Sequence, residues 1–144
     1  MFIHRDSEAQ DPLTRYEEIS EAAAAVNLRC PAVPVVPVRM TEAWLLLDEA
    51  SIRSVAAKPA GRTDLNLPPP RRVETIPDPK QRLRDALLVA SETSGRRRKQ
   101  FERDFGRHRA LLLERLDTTG AVSGLPSWQR LQREVTDAVQ HLKG

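Results

Sequence analysis

Val33-Pro34-Val35-Val36-Pro37-Val38-Arg39-Met40-Thr41-Glu42-Ala43-Trp44-Leu45-Leu46-Leu47 is the stretch whose reading decides the fold class. Its first six residues are valine or proline, a run that suits a strand. The two prolines have no N–H to give a ladder, so the strand belongs at a sheet edge or is irregular. Thr41 is placed to cap a short helix, Glu42 to Leu47, and Asp48 to cap the next, Glu49 to Ala57. Upstream, Phe2-Ile3 is the stub of a strand, and Asp11-Pro12 is a helix start, because proline's missing N–H costs nothing in a first turn. Leu13, Tyr16, Ile19, Ala23 and Val26 recur at helical spacing and predict a helix over about 12–27. The resulting β-α-β-α alternation implies an α/β layer architecture with a parallel sheet. Two strands make a poor open sheet. The expectation is therefore that further strands lie upstream or come from another chain.

Downstream the pattern changes. Residues 58–79 hold six of the eleven prolines, including Pro68-Pro69-Pro70, and read as an extended connector. It ends in a second Asp-Pro start, Asp78-Pro79, which opens a helix through about Glu92 with Leu83, Ala86, Leu87 and Ala90 inward. Arg96 to Phe105 and His108 to Leu116 predict two shorter helices. The last helix runs from Pro126 or Ser127 to Leu142, with the stripe Trp128, Leu131, Val135, Val139, Leu142. The chain thus divides into an α/β part over 1–57, a Pro-rich connector over 58–79 and a helical part over 80–144, read together as one compact domain.

Composition narrows the function classes. The 144 residues are 40% hydrophobic and 30% charged, as in a globular protein. No apolar run reaches the roughly 18 residues of a membrane span, and the N-terminus has no signal-peptide apolar core. Cys30 is the single cysteine, which removes an intrachain disulfide and any multi-cysteine zinc site and points to a reducing cytoplasm. Net charge is +3, unevenly spread: 10 Lys/Arg against 12 Asp/Glu in residues 1–80, and 13 against 8 in residues 81–144. The basic second half suits a polyanionic partner without demanding one.

Four constellations bear on chemistry. Asp6 and Glu8 are two apart, so on a strand they share a face, and there they can hold one Mg²⁺. The competing reading is a polar loop feeding the Asp11 cap. Arg39 and Glu42 follow the Val/Pro strand, and in an α/β sheet they lie on the carboxyl edge, where ligands bind. Glu42 is then a third acid and Arg39 a phosphate clamp, against an Arg39–Glu42 ion pair at a helix start with Trp44 in the core. Lys80, after Asp78-Pro79, reads best as a surface lysine on a capped helix. Arg96, Arg97, Arg98 and Lys99 are four consecutive cations, suited to a phosphate backbone or simply to a solvated helix face. The 4% aromatic content argues against a single-strand stacking platform. There is no Gly-rich phosphate loop, no paired-histidine zinc spacing and no G-x-S-x-G elbow.

The order of these motifs resembles a family. His4-Arg5-Asp6-x-Glu8, the Val/Pro strand, Arg39-Met40-Thr41-Glu42-Ala43-Trp44-Leu45-Leu46, Asp78-Pro79-Lys80, a Gly-Arg-Arg-Arg-Lys segment and a closing Leu-Pro-Ser-Trp-x-x-Leu resemble the bacterial domain-of-unknown-function family 4276, whose members look like Toprim-fold proteins. The Glu-Ala-Trp-Leu-Leu helix followed by Asp-Pro-Lys is the most specific part. The resemblance implies a shortened Toprim-like parallel sheet with an all-helical C-terminal extension. It also implies Mg²⁺-dependent phosphodiester chemistry, with Asp6 and Glu8 standing at the fold's D-x-D, the second aspartate being a glutamate here. The fold's earlier strand and its glutamate have no counterpart in the sequence. A late-assigned start, a truncation and completion by a partner chain are the three expectations that follow.

The functional expectation is a Toprim-like, nuclease-like protein acting on nucleic acid, either a magnesium-dependent phosphodiester hydrolase or a degenerate remnant of one. Asp6 and Glu8 bind metal, Glu42 and Arg39 serve the reaction, and Arg96, Arg97, Arg98 and Lys99 hold the backbone. The rival is a non-catalytic interaction subunit of a bacterial defence or mobile-element system, joined to a protein partner or a second copy through the open sheet edge.

Overall fold

The computed structural model describes residues 1–5, 11–36 and 41–143. Asp6, Glu8 and Arg39 lie outside the described residues. Strand β1 (Phe2–His4) pairs in parallel with β2 (Val33–Val35), in the register Phe2↔Val33, Ile3↔Pro34 and His4↔Val35. The Val33 N–H donates to the Met1 carbonyl at 2.7 Å, and the Arg5 N–H donates to the Val35 carbonyl at 3.1 Å. Val33 and Val35 therefore carry the ladder, and Pro34, with no N–H, falls on the opposite edge of β2. That satisfies the restriction proline places on strands.

Between the strands runs α1 (Pro12–Ala25), capped by Asp11, whose carboxylate accepts from the Leu13 N–H at 3.0 Å. The next elements are α2 (Thr41–Leu45), α3 (Glu49–Val55), a 3-10 turn over Pro70–Thr75, α4 (Pro79–Ser91), α5 (Gly95–Arg103) and α6 (Phe105–Glu114). A short 3-10 turn over Ala121–Gly124 leads to α7 (Pro126–Lys143). Asp48 caps α3 by accepting from the Ser51 N–H at 2.9 Å, and Asp78 caps α4 by accepting from the Gln81 N–H at 2.8 Å. All three aspartates thus satisfy helix N–H groups that would otherwise lack a partner, as their sequence positions predict. The fold is mixed α/β and mostly helical.

The chain forms two compact units, residues 1–40 with 123–144, and residues 41–122. The first holds the sheet and α1, with α7 packed on β2. Its buried apolar residues among those described are Ile19, Val33, Val36 and Leu125. The predicted stripe of α7 is only partly covered: Trp128, Leu131 and Val135 are half-buried, while Val139 and Leu142 are exposed. The second unit is better filled. Helix α4 is its hub, touching α2, α3 and α5. Leu83, Ala86, Leu87 and Ala90 are all buried, the face read from their spacing. Each buried leucine contributes about 1.5–3 kcal/mol of transfer free energy.

The Pro-rich stretch lies inside this second unit. Leu65 and Val73 are buried, and the 3-10 turn packs on α2. Proline supplies φ for the turn, and the two apolar residues anchor what composition alone reads as an extended connector.

Candidate functional site

Glu42 is the sequence-predicted site residue with the most defined surroundings. It sits on α2, where the buried Ala43, Trp44 and Leu45, with Leu46 just beyond the helix, draw the segment into the core, and it is itself only 4% exposed. Burying a carboxylate demands a partner. That partner comes from α6, where the Arg109 Nε donates to Glu42 Oε1 at 2.7 Å. The same guanidinium donates through Nη2 to Thr41 Oγ1 at 2.7 Å. Arg109 therefore holds both residues at the start of α2, and the Thr41 hydroxyl serves as its acceptor. Trp44 is buried at 5% exposure, as the core reading expects. The ion partner that the structure gives Glu42 lies 67 residues away, so no local spacing signals it.

Arg96, Arg97, Arg98 and Lys99 all lie on α5 and all are exposed. Helix α5 has no buried residue. Its anchor is Phe101, whose ring stacks on His108 of α6 with centroids 4.0 Å apart and planes at 26°. Among the described residues no carboxylate lies within ion-pair distance of the four cations. Lys80 is exposed at the start of α4, as a surface lysine on a capped helix should be.

A cavity of about 170 Å³ opens in the first unit, where β2 ends and α1 and α7 begin. Asp11, Leu13, Tyr16, Val36, Pro126, Ser127 and Arg130 line it. The Arg130 guanidinium stands 5.0 Å from the centroid of the Tyr16 ring, a cation–π distance. Burial pushes the Tyr16 phenol above its ordinary value, and the Arg130 charge opposes that rise. Neither residue stood out in the sequence. Tyr16 read as one member of the α1 stripe, and Arg130 belongs to no motif.

Among the described residues, no group of three or more histidines, cysteines or acids could hold a metal ion. No described helix is long and apolar enough to cross a membrane. Comparison of the chain with known protein families, curated proteins and solved structures returns no match to any of them.

Proposed function

We propose that this is a Toprim-like protein acting on nucleic acid, a magnesium-dependent phosphodiester hydrolase or a degenerate remnant of one. The observation that carries the reading is the parallel pairing of β1 with β2. Parallel strands put their carboxyl ends on one edge, and these two ends lead directly into the segments containing Asp6 and Glu8 on one side and Arg39 on the other. Ligands of open α/β sheets bind at that edge.

In this reading Asp6 and Glu8 offer the hard carboxylate oxygens that Mg²⁺ prefers, and the bound ion supplies charge for the phosphate and a more acidic water. Arg39 orients the phosphate. Glu42 is the further acid of this reading, and Arg109 holds its carboxylate in place. The basic helix α5 contacts the nucleic-acid backbone. Incubating plasmid and oligonucleotide substrates with the protein in Mg²⁺, in Mn²⁺ and in excess chelator tests the reading. Metal-dependent cleavage that disappears in Asp6→Ala is the expected result, and cleavage unchanged by that substitution sinks it.

A second reading, a non-catalytic subunit that docks on a protein partner, has its own support. Of the seven large hydrophobic side chains exposed among the described residues, Met1, Phe2, Leu13, Val26, Val139 and Leu142 belong to the first unit, and only Val89 to the second. Apolar exposure concentrated around a two-stranded sheet is what a covered interface leaves when its partner is removed. Light scattering after size exclusion separates the readings, because a strictly monomeric, well-folded chain counts against a completed sheet.

A further inference from the structure

The four consecutive cations of α5 do not share one face of the helix. Successive residues on an α-helix turn by about 100°, so Arg96, Arg97, Arg98 and Lys99 point in four different directions around the axis. Placing Arg96 at zero puts Lys99 at about −60° and Arg103 at about −20°, a narrow arc. Phe101 falls at about 140° on the same scale. It is the one residue of α5 that turns toward a neighbouring helix through a ring stack. The Arg96/Lys99/Arg103 arc is therefore opposite the Phe101 side, by which α5 stacks on α6, and all three are exposed. Arg97 and Arg98 fall at about 100° and 200°, on the two flanks of Phe101.

Among the described residues, none of the three cations has a carboxylate within ion-pair distance. Gln100 is the arc's only other member within about 40° of Arg96, and it is neutral. Glu102 falls at about 240°, roughly 60° from Lys99, and is not ion-paired with it, while Asp104, beyond the helix end, accepts from the Gln100 amide at 3.2 Å. The three cations spread over about 10 Å of helix axis, at 1.5 Å per residue. A DNA strand presents a phosphate every 3.4 Å along its own axis, so the arc can face three phosphates of one strand.

We propose that the nucleic-acid contact of this protein is the outer stripe Arg96, Lys99 and Arg103 of α5, and that its ligand is the phosphate backbone of a duplex. The inference rests on the proposal that the partner is nucleic acid, and it deepens that proposal by naming the contact and the form of the ligand. Duplex is favoured over single strand because Phe101, the sole aromatic of α5, is already stacked on His108, which leaves no platform for an unpaired base. A membrane surface is disfavoured because the stripe carries no apolar residue to insert.

The experiment is fluorescence anisotropy of the full chain on a labelled 20-base-pair duplex of arbitrary sequence, titrated from 50 to 200 mM salt. Three phosphate contacts give a slope of log K against log salt of about −2.7. Lys99→Ala/Arg103→Ala should lower that slope to about −0.9 and weaken binding at 0.1 M salt by about 30–100-fold. Arg97→Ala/Arg98→Ala removes the same charge from the flanks and should lower the slope, and the affinity, clearly less than the stripe pair does. All four positions are exposed, and alanine keeps the helix, so circular dichroism should report folded protein for both pairs. Equal losses in the two double variants, or the larger loss in the flank pair, overturn the stripe while leaving a nucleic-acid partner standing. Tighter binding to an unpaired strand than to the duplex overturns the form of the ligand. A wild-type chain that ignores nucleic acid but binds anionic vesicles, or binds nothing, overturns the stripe and the proposed function together.

Discussion

Arg109 shows how a single side chain determines the setting of a candidate acid. Its guanidinium satisfies Glu42 and Thr41 at once, and Glu42 keeps only 6% of its side chain in contact with solvent. Removing one partner of such a pair leaves a buried charge without compensation, which costs more than the pair contributes while intact. Arg109→Leu should therefore destabilise the fold by about 2–3 kcal/mol. The figure sits below the fully buried range because the Arg109 side chain keeps 35% of its own exposure. Urea denaturation measures it, and adding Glu42→Gln to the same chain should recover much of the loss, since the amide carries no charge. A double variant as unstable as the single would mean that Arg109 acts through packing instead. None of this was legible in the sequence. Glu42 and Trp44 were visible as a polar and an apolar member of one short helix, but an acid's partner 67 residues away has no local signature.

Among the elements, α5 and α6 are joined by one aromatic contact that responds to pH. His108 stacks on Phe101, and its Nδ1 is buried without a hydrogen-bond partner. Burial pushes the imidazole below its ordinary value of 6.5; the Asp104 carboxylate opposes the shift and the Arg107 charge adds to it. A histidine depressed in the folded state binds its proton more readily when unfolded. Stability is then fully present above about pH 6.5 and is lost as pH falls toward the lower, folded value. His108→Gln should flatten that part of the profile, seen as a smaller difference between urea midpoints at pH 7.5 and pH 5 than wild type shows. An equal difference in both chains would assign the pH dependence to other groups. The helices themselves were largely readable. Asp11, Asp48 and Asp78 marked three starts because a capping carboxylate and a following proline or helix former act locally. The 3-10 turn over Pro70–Thr75 was not readable, because Val73 is drawn inward by a tertiary pocket that composition does not reveal.

Across the molecule, the two units differ in how much apolar surface they bury. Sixteen of the twenty buried apolar residues among those described belong to residues 41–122. The unit holding the two-stranded sheet has four, and a sheet that small is marginal by itself. Native-state hydrogen exchange should show amides of β1, β2 and α1 opening at lower free energy than those of α4, with Leu83 and Leu87 among the slowest. Uniform protection across both units would contradict the difference in packing. The sequence alone determined the alternation of strand and helix, the capped starts, the inward face of α4 and the basic character of the second half. Each of these depends on neighbours within a turn or two of chain. Only the tertiary structure decided that Glu42 is held by Arg109, that Tyr16 and Arg130 share a cavity, and that Phe101 of α5 stacks on His108 of α6. These follow from which surfaces meet when distant segments bury their apolar faces, and a linear pattern specifies the faces without specifying their partners.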